Sequence, residues 1–437
     1  MKILIKNAIL ISMDESRKNI ERNIDVLIKD DKIEKIGLNL IESELVQNDK
    51  NISKLKIIDA TNKVVMPGLI NTHSHVPMSI FRETIDGYDL QDWLNNKIWP
   101  MEDKLNNNDI YYASLLSFIE MIETGCTTIN DMYFMVDEII KAMKETGIRL
   151  QTTRTLMDMV SVEEGESRFT ELLRLIKQYK NEPKLTFNCG IHGLYTANEV
   201  YVKKCIDFAK ENNLNIHMHF CENSKEVEDI RQIYKKEPID ILTENFQNVH
   251  TLLAHAVKLN NQDIDKMKNM DISIAHCPIS NLKLGCGVAK ISEMYEKGIN
   301  ISLGTDGQGS GCSLDMFGTM KMAALLQKGT TENPKAISSY DALKMATING
   351  AKALGLENEI GTIEEGKQAD IIILDLNRTV TKPENDILSQ IVYNTNGCNV
   401  ETTIVGGKIL MEERKLNINV DKEKIYLECE EIIKRIS

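Results

Sequence analysis

The sequence predicts an α/β fold: a (β/α)8 barrel of the TIM type, joined to a small β-domain that both chain ends build. Three observations carry this expectation. The middle of the chain alternates short, β-branched apolar runs with longer segments of helical spacing, the pattern of βαβ units on a parallel sheet. Eight such runs can be counted, the number a closed barrel needs. Both ends instead carry β-rich segments broken by turn residues. The expected division is 1–62 for the N-terminal part of the β-domain, 63–358 for the barrel, and 359–437 for the C-terminal part with its tail. A doubly wound open sheet with fewer strands is the alternative.

In chain order, segments 2–13 and 24–36 predict strands, the second turning at Lys29-Asp30-Asp31-Lys32. The polar stretch 47–55 predicts a loop. Barrel strands are expected at 64–71, 127–131, 149–155, 185–191, 215–220, 251–254, 271–275 and 300–304. Helices 110–124 and 138–146 are each stopped by a glycine, Gly125 and Gly147, as a C-terminal cap requires. Segment 361–376 predicts strand, turn (Glu364-Glu365-Gly366-Lys367) and apolar strand, and 402–412 a hairpin turning at Gly406-Gly407.

Composition narrows the class. The 437 residues suffice for a large core without a metal or disulfide staple. Lysine plus arginine number 52 against 65 acidic residues, a formal net charge of −13, which argues against a nucleic-acid backbone or an anionic membrane as partner. Hydrophobic content of 42% with 27% charged residues excludes wholesale disorder. Nine cysteines without a C-x-x-C pair support neither a disulfide framework nor a zinc ribbon, and fit a reducing cytoplasm. The N-terminal segment reads as a strand, not a signal peptide, and no stretch approaches the ~20 apolar residues of a membrane span.

Chemistry in such a barrel sits at the carboxyl ends of the strands. Six of the eight histidines fall there: His73, His75, His192, His219, His255 and His276. In Asn71-Thr-His73-Ser-His75, residues i and i+2 of an extended segment point the same way, so both imidazoles can chelate one ion. In His217-Met-His219-Phe-Cys-Glu222, His219 lies nearer the mouth and is the better ligand, His217 sits one layer deeper, and Glu222 rises from the loop. Asp306, in Gly304-Thr-Asp306-Gly307, can ligate the metal and take a proton from its bound water. Three imidazoles and one carboxylate leave a position open for that water, whose pKa the ion lowers from about 15.7 toward about 7. His255 is placed to orient the nucleophile or polarise the substrate. His250 reads as structural, His276 stays open, and the cysteines read as small buried apolar residues.

Together, Met66-Pro-Gly-Leu-Ile-Asn-Thr-His-Ser-His75, His219-x-x-Glu222, His255, Ala275-His-Cys-Pro278, Ser280-Asn-Leu-Lys-Leu284, Gly304-Thr-Asp-Gly307 and Gly361-Thr-Ile-Glu-Glu-Gly-Lys-Gln-Ala-Asp370 resemble the amidohydrolase superfamily. More narrowly, they resemble its 5-methylthioadenosine/S-adenosylhomocysteine deaminase group. The resemblance implies a distorted (β/α)8 barrel with a flanking β-sandwich. It also implies one divalent metal held by His73, His75, His219 and Asp306, zinc being the first expectation and iron or manganese the alternatives. The dinuclear branch carries a bridging lysine at the end of the fourth strand; this chain has Cys189-Gly-Ile-His192. The resemblance makes Glu222 the proton shuttle to the purine ring nitrogen, Asp306 the base and His255 the group steadying the water. It places Glu102, from the Trp93-(x)8-Glu102 segment, at the ribose hydroxyls, Trp93 and His192 at the substrate, and Arg154 and Arg168 at a homocysteine carboxylate.

The chain departs from the family pattern at His192-Gly-Leu-Tyr195, at Gly307-Gln-Gly-Ser-Gly311-Cys312 and at Arg82-Glu83-Thr84. These changes bear on the pocket rim and hence on the substrate's leaving group and tail. The expected activity is hydrolytic deamination of adenine nucleosides and thionucleosides: 5'-methylthioadenosine, S-adenosylhomocysteine, adenosine or 5'-deoxyadenosine. The same fold could serve a guanine, pyrimidine or chlorinated triazine ring, and a metal-binding protein without turnover is a reading from another class. A homo-oligomer is left open.

Overall fold

The computed structural model describes residues 2–42, 55–84 and 86–436. The barrel strands form two hydrogen-bonded arcs, all parallel. One arc holds Leu69–Ser74, Cys126–Tyr133, Arg149–Arg154 and Leu185–Phe187; the other holds Cys189–Gly193, Ile216–Phe220, Thr251–His255, Ile272–His276 and Asn300–Leu303. Leu185–Phe187 and Cys189–Gly193 are two halves of the fourth strand, interrupted at Asn188, whose side chain donates to Asn130 Oδ1 at 2.7 Å. Main-chain bonds cross both seams. Leu156 N donates to Gly190 O at 2.8 Å on one side, and Asp306 N to His73 O at 3.0 Å on the other. Residues on both faces of these strands are buried, as expected where a parallel sheet has helices outside and packed side chains within.

The β-sandwich uses both chain ends. Its strands are Lys2–Leu10, Glu21–Lys29, Lys32–Gly37, Leu55–Asp59, Val64–Pro67, Ile371–Leu374, Val400–Val405, Lys408–Glu412 and Lys415–Leu416, in one nine-stranded ladder. Ile28 and Ile371, from separate parts of the ladder, share one core with Ile5, Val26, Val65 and Ile404, so the ladder curls and packs on itself.

Several elements differ from their expected form. The run 64–71 is two strands: Val64–Pro67 pairs with Lys2–Leu10 and Ile371–Leu374, and the first barrel strand starts at Leu69. Both halves are buried at every position, so no period marks this division. The break falls at Gly68, where a Cβ would come within 2.2 Å of Thr127. Segment 361–368 forms no strand; it is a hook whose Ile363 N and Gly366 N donate to Ser12 O and Ile33 O, both at 2.8 Å. The stretch 47–55 lies outside the described residues, except that Leu55 opens a strand. The helix expected at 110–124 runs Asn107–Glu123, because Asn106 and Asp109 form a capping box three residues earlier.

The tail holds a helix that strand patterning obscured, Lys422–Ile436. Its buried Ile425, Cys429, Ile432 and Ile436 form one helical stripe, and Lys422 Nζ bonds Glu123 Oε1 at 2.7 Å while Arg435 pairs with Asp109 on helix Asn107–Glu123. Among the described residues no helix is long and apolar enough to cross a membrane.

Barrel and sandwich are tied by a buried ion pair. Arg149 donates from Nε and Nη2 to Asp370 Oδ2 and Oδ1 at 2.8 and 3.0 Å, and Gly406 N donates to Asp370 Oδ1 at 2.7 Å. Removing one partner leaves a buried charge uncompensated, which costs about 3–5 kcal/mol. Asp370→Ala is therefore expected to lose that much in equilibrium denaturant unfolding; a loss under about 1 kcal/mol would show that the pair does not join the two parts.

Candidate active site

The carboxyl ends of the barrel strands bring together the residues singled out in the sequence. Trp93, Glu102, Arg154, Arg168, His192, His75, His219, Glu222, His255 and Asp306 line one pocket. His73 lies fully buried just beneath, its Nε2 3.5 Å from Asp306 Oδ1. Its approach to the eighth strand depends on Gly304, where a Cβ would stand 2.8 Å from His73 Cβ.

Donor atoms of His73, His75, His219 and Asp306 all lie within 4.8 Å of one another. His75 Nδ1 donates to Met132 O and His219 Nδ1 to His192 O, both at 2.7 Å. With those protons turned outward, the two Nε2 atoms present lone pairs to each other at 3.2 Å. His75 Nε2 also lies 3.3 Å from Asp306 Oδ1, and buried His73 Nε2 has no hydrogen-bond partner. Lone pairs crowded in this way call for a shared cation. Three imidazole nitrogens and a carboxylate oxygen are the donor set of a divalent ion, and the residues fit one.

The surrounding groups hold these donors in place. Ser280 Oγ and Ser310 Oγ donate to Asp306 Oδ2 at 2.6 and 3.0 Å, and Gly307 N donates to Oδ1 at 2.8 Å. His73 Nδ1 sits 2.9 Å from His217 Nε2, the deeper layer expected for His217. Asp306 and His255 adopt left-handed backbone conformations, φ +63° and +74°, and so does Cys221 at +51°. Such strain is kept only where the surroundings enforce it, and here it marks three strand ends that aim side chains into the mouth. Burial opposes charge on every group, but the neighbouring imidazoles of His73, His75 and His255 outweigh it at Asp306, whose carboxyl is held well below its usual range.

Glu222 and His255 face each other beside this centre, Oε2 to Nε2 at 3.7 Å. Burial, reinforced by the charge of Asp306, pushes the Glu222 carboxyl up to about 8, so it carries its proton at neutral pH. His255 Nδ1 donates to Asn281 Oδ1 at 2.8 Å, so its Nε2, which has no partner, offers a lone pair inward. Burial depresses His255 below the ordinary histidine range and keeps it neutral.

At the other side of the pocket, Glu102 accepts a hydrogen bond from Tyr133 OH, and burial raises it to about 7 despite that bond. The buried Trp93 Nε1 has no hydrogen-bond partner. His192 Nδ1 bonds Thr196 Oγ1 at 3.0 Å. Outside the pocket, His250 bonds Asp271 Oδ1 at 2.8 Å and Ala353 O at 3.1 Å, a structural role. His276 is buried with both ring nitrogens unpartnered.

The sequence reading overlooked Glu226. Its Oε1 and Oε2 accept from Cys221 N and Glu222 N at 2.8 and 2.7 Å, fixing the strained turn that presents Glu222. The Asn223-x-x-Glu226 spacing is the sequence signal that could have found it, since Asn223 caps helix Ser224–Tyr234 by accepting from Glu226 N at 2.8 Å. Tyr133, Ser280, Ser310 and Asn281 were also missed as partners of site residues.

This architecture and donor set define a metal-dependent hydrolase of the barrel class. Residues 64–410 match the model of the amidohydrolase family, and the chain belongs to that family. It is 39% identical to a 5-methylthioadenosine/S-adenosylhomocysteine deaminase of Caldanaerobacter subterraneus subsp. tengcongensis, over 98% of this chain and 97% of the other. It is 40% identical to a 5'-deoxyadenosine deaminase of Methanococcus aeolicus, over 93% of this chain and 94% of the other. A crystal structure of an adenosine deaminase from Xanthomonas campestris with bound zinc superposes with a TM-score of 0.92 at 26% identity, covering 99% and 98% of the two chains.

Proposed function

We propose that the chain is a zinc-dependent hydrolytic deaminase of adenine nucleosides and thionucleosides, converting them to the inosine analogue with release of ammonia. 5'-Methylthioadenosine, S-adenosylhomocysteine, 5'-deoxyadenosine and adenosine are the candidate substrates. One observation carries the reading: buried Glu222 stands beside a three-histidine, one-aspartate donor set, its Oε2 3.7 Å from His255 Nε2. The names of the relatives support the choice of ring.

An ion held by His73, His75, His219 and Asp306 supplies the Lewis acidity that makes water nucleophilic at neutral pH. His255 Nε2 accepts a hydrogen bond from the attacking water and aligns it. Asp306 takes the first proton of that water as its oxygen adds to the carbon bearing the amino group. Glu222 gives its proton to the adjacent ring nitrogen, so no anion builds up on the ring. On collapse, Asp306 returns its proton to the departing nitrogen, which leaves as ammonia, and Glu222 recovers a proton from the new hydroxyl as the carbonyl forms. Glu102 accepts from ribose hydroxyls, Trp93 and His192 flank the nucleoside, and Arg154 and Arg168 face its 5' tail.

Glu222→Gln keeps a similar shape but has no acidic proton. It is expected to lower kcat by about 10²–10⁴-fold while retaining bound metal, measured by the ultraviolet change from adenine to hypoxanthine and by elemental analysis. Wild-type turnover in that variant would contradict the proton shuttle. A second test concerns the ribose. Glu102 binds hydroxyls best as a carboxylate, and with its pKa raised to about 7 that form is lost as pH falls through 7. KM for 5'-methylthioadenosine should therefore rise below pH 7, and Glu102→Gln should abolish that limb. A pH-independent KM in the wild type would remove the assignment.

A further inference from the structure

We propose that Glu164 and Glu171 set the tail specificity of this pocket by neutralising Arg154 and Arg168, which weakens the hold on a substrate carboxylate and favours uncharged 5' substituents. The proposal rests on the deaminase reading above and decides which tail that site prefers.

Both arginine side chains line the pocket, and each is only 13% exposed. Two bare guanidinium groups so placed would make a strong anion site. Neither is bare. Arg154, at the end of the third strand, donates from Nε to Glu171 Oε2 at 2.7 Å and from Nη1 to Thr155 O at 3.3 Å. Arg168 donates from Nε to Glu164 Oε1 at 3.0 Å, and its Nη2 donates to the same oxygen.

Glu164, Arg168 and Glu171 occupy one face of helix Val162–Gln178, at spacings of four and three residues. The glutamates stand outside the pocket wall, 37% and 30% exposed, while the arginines form part of it. The carboxylates therefore act on a bound tail through charge, without touching it. Each takes the Nε edge of its arginine, one of the edges through which a ligand carboxylate could be gripped at two points. Two positive and two negative charges leave this end of the pocket formally neutral. Burial and the neighbouring Arg168 press Arg154 below the ordinary arginine range, so the two cations stand close enough to repel.

A methylthio or methyl tail gains nothing from a positive wall and loses nothing when that wall is neutralised. A carboxylate tail gains from the arginines and is repelled by the glutamates. Glu164→Gln and Glu171→Gln keep an acceptor oxygen for the arginine and remove only the charge.

The test compares kcat/KM for 5'-methylthioadenosine, for S-adenosylhomocysteine, and for a 5'-carboxyethylthio analogue that carries the carboxylate without the ammonium. Each Gln variant is expected to raise the ratio of carboxyethylthio analogue to methylthioadenosine by about five-fold, through KM. S-Adenosylhomocysteine should move in the same direction by less, because its ammonium loses an attractive charge. A ratio that stays put or falls in both variants, with the wild type active, overturns the inference and leaves the deaminase reading standing. A metal-loaded wild type inert toward all three compounds overturns that reading and the inference with it.

Discussion

Everything at this site depends on imidazoles whose outer nitrogens are committed to the protein. Once His75 and His219, as neutral imidazoles, have given their Nδ1 protons to main-chain carbonyls, their inner nitrogens can only accept. The barrel holds these lone pairs, with His73 and the Asp306 carboxylate, too close together to be satisfied by protein donors alone. The fold accepts that frustration because a cation relieves it, and the metal chemistry of the family follows from this constraint.

The same logic extends outward. Left-handed backbone at Cys221, His255 and Asp306 would be unfavourable in a free chain, but it turns three strand ends inward. Seryl hydroxyls occupy the outer oxygen of Asp306, and Glu226 pins the turn that carries Glu222. Their surroundings then separate the two carboxylates: Asp306, beside the imidazoles and bonded by Ser280, Ser310 and Gly307 N, stays ionised, whereas Glu222, without such partners, keeps its proton. One acid and one base arise from the same functional group in different surroundings.

Much of this was legible in the sequence because strand ends are marked twice, by the close of an apolar run and by the polar residue that follows. His73, His75, His219, His255 and Asp306 all obey that rule, and the structure gathers them. Periodicity could not divide 64–71, since both resulting strands are buried at every position and neither alternates. The helix Lys422–Ile436 was hidden because its apolar stripe is thin and its sequence rich in charge. Residues acting through others, such as Glu226, Tyr133 and the glutamates behind the arginines, look like ordinary surface charge or core until the fold brings them to their partners.

The central claim is that three imidazoles and one carboxylate share a single cation. The most direct measurement is an anomalous-difference map at the metal edge, from crystals of protein purified without chelator. The account predicts one peak per chain, about 2.0–2.2 Å from nitrogens of His73, His75 and His219 and an oxygen of Asp306. Two peaks bridged by other side chains, or no peak where the four groups converge, would contradict it.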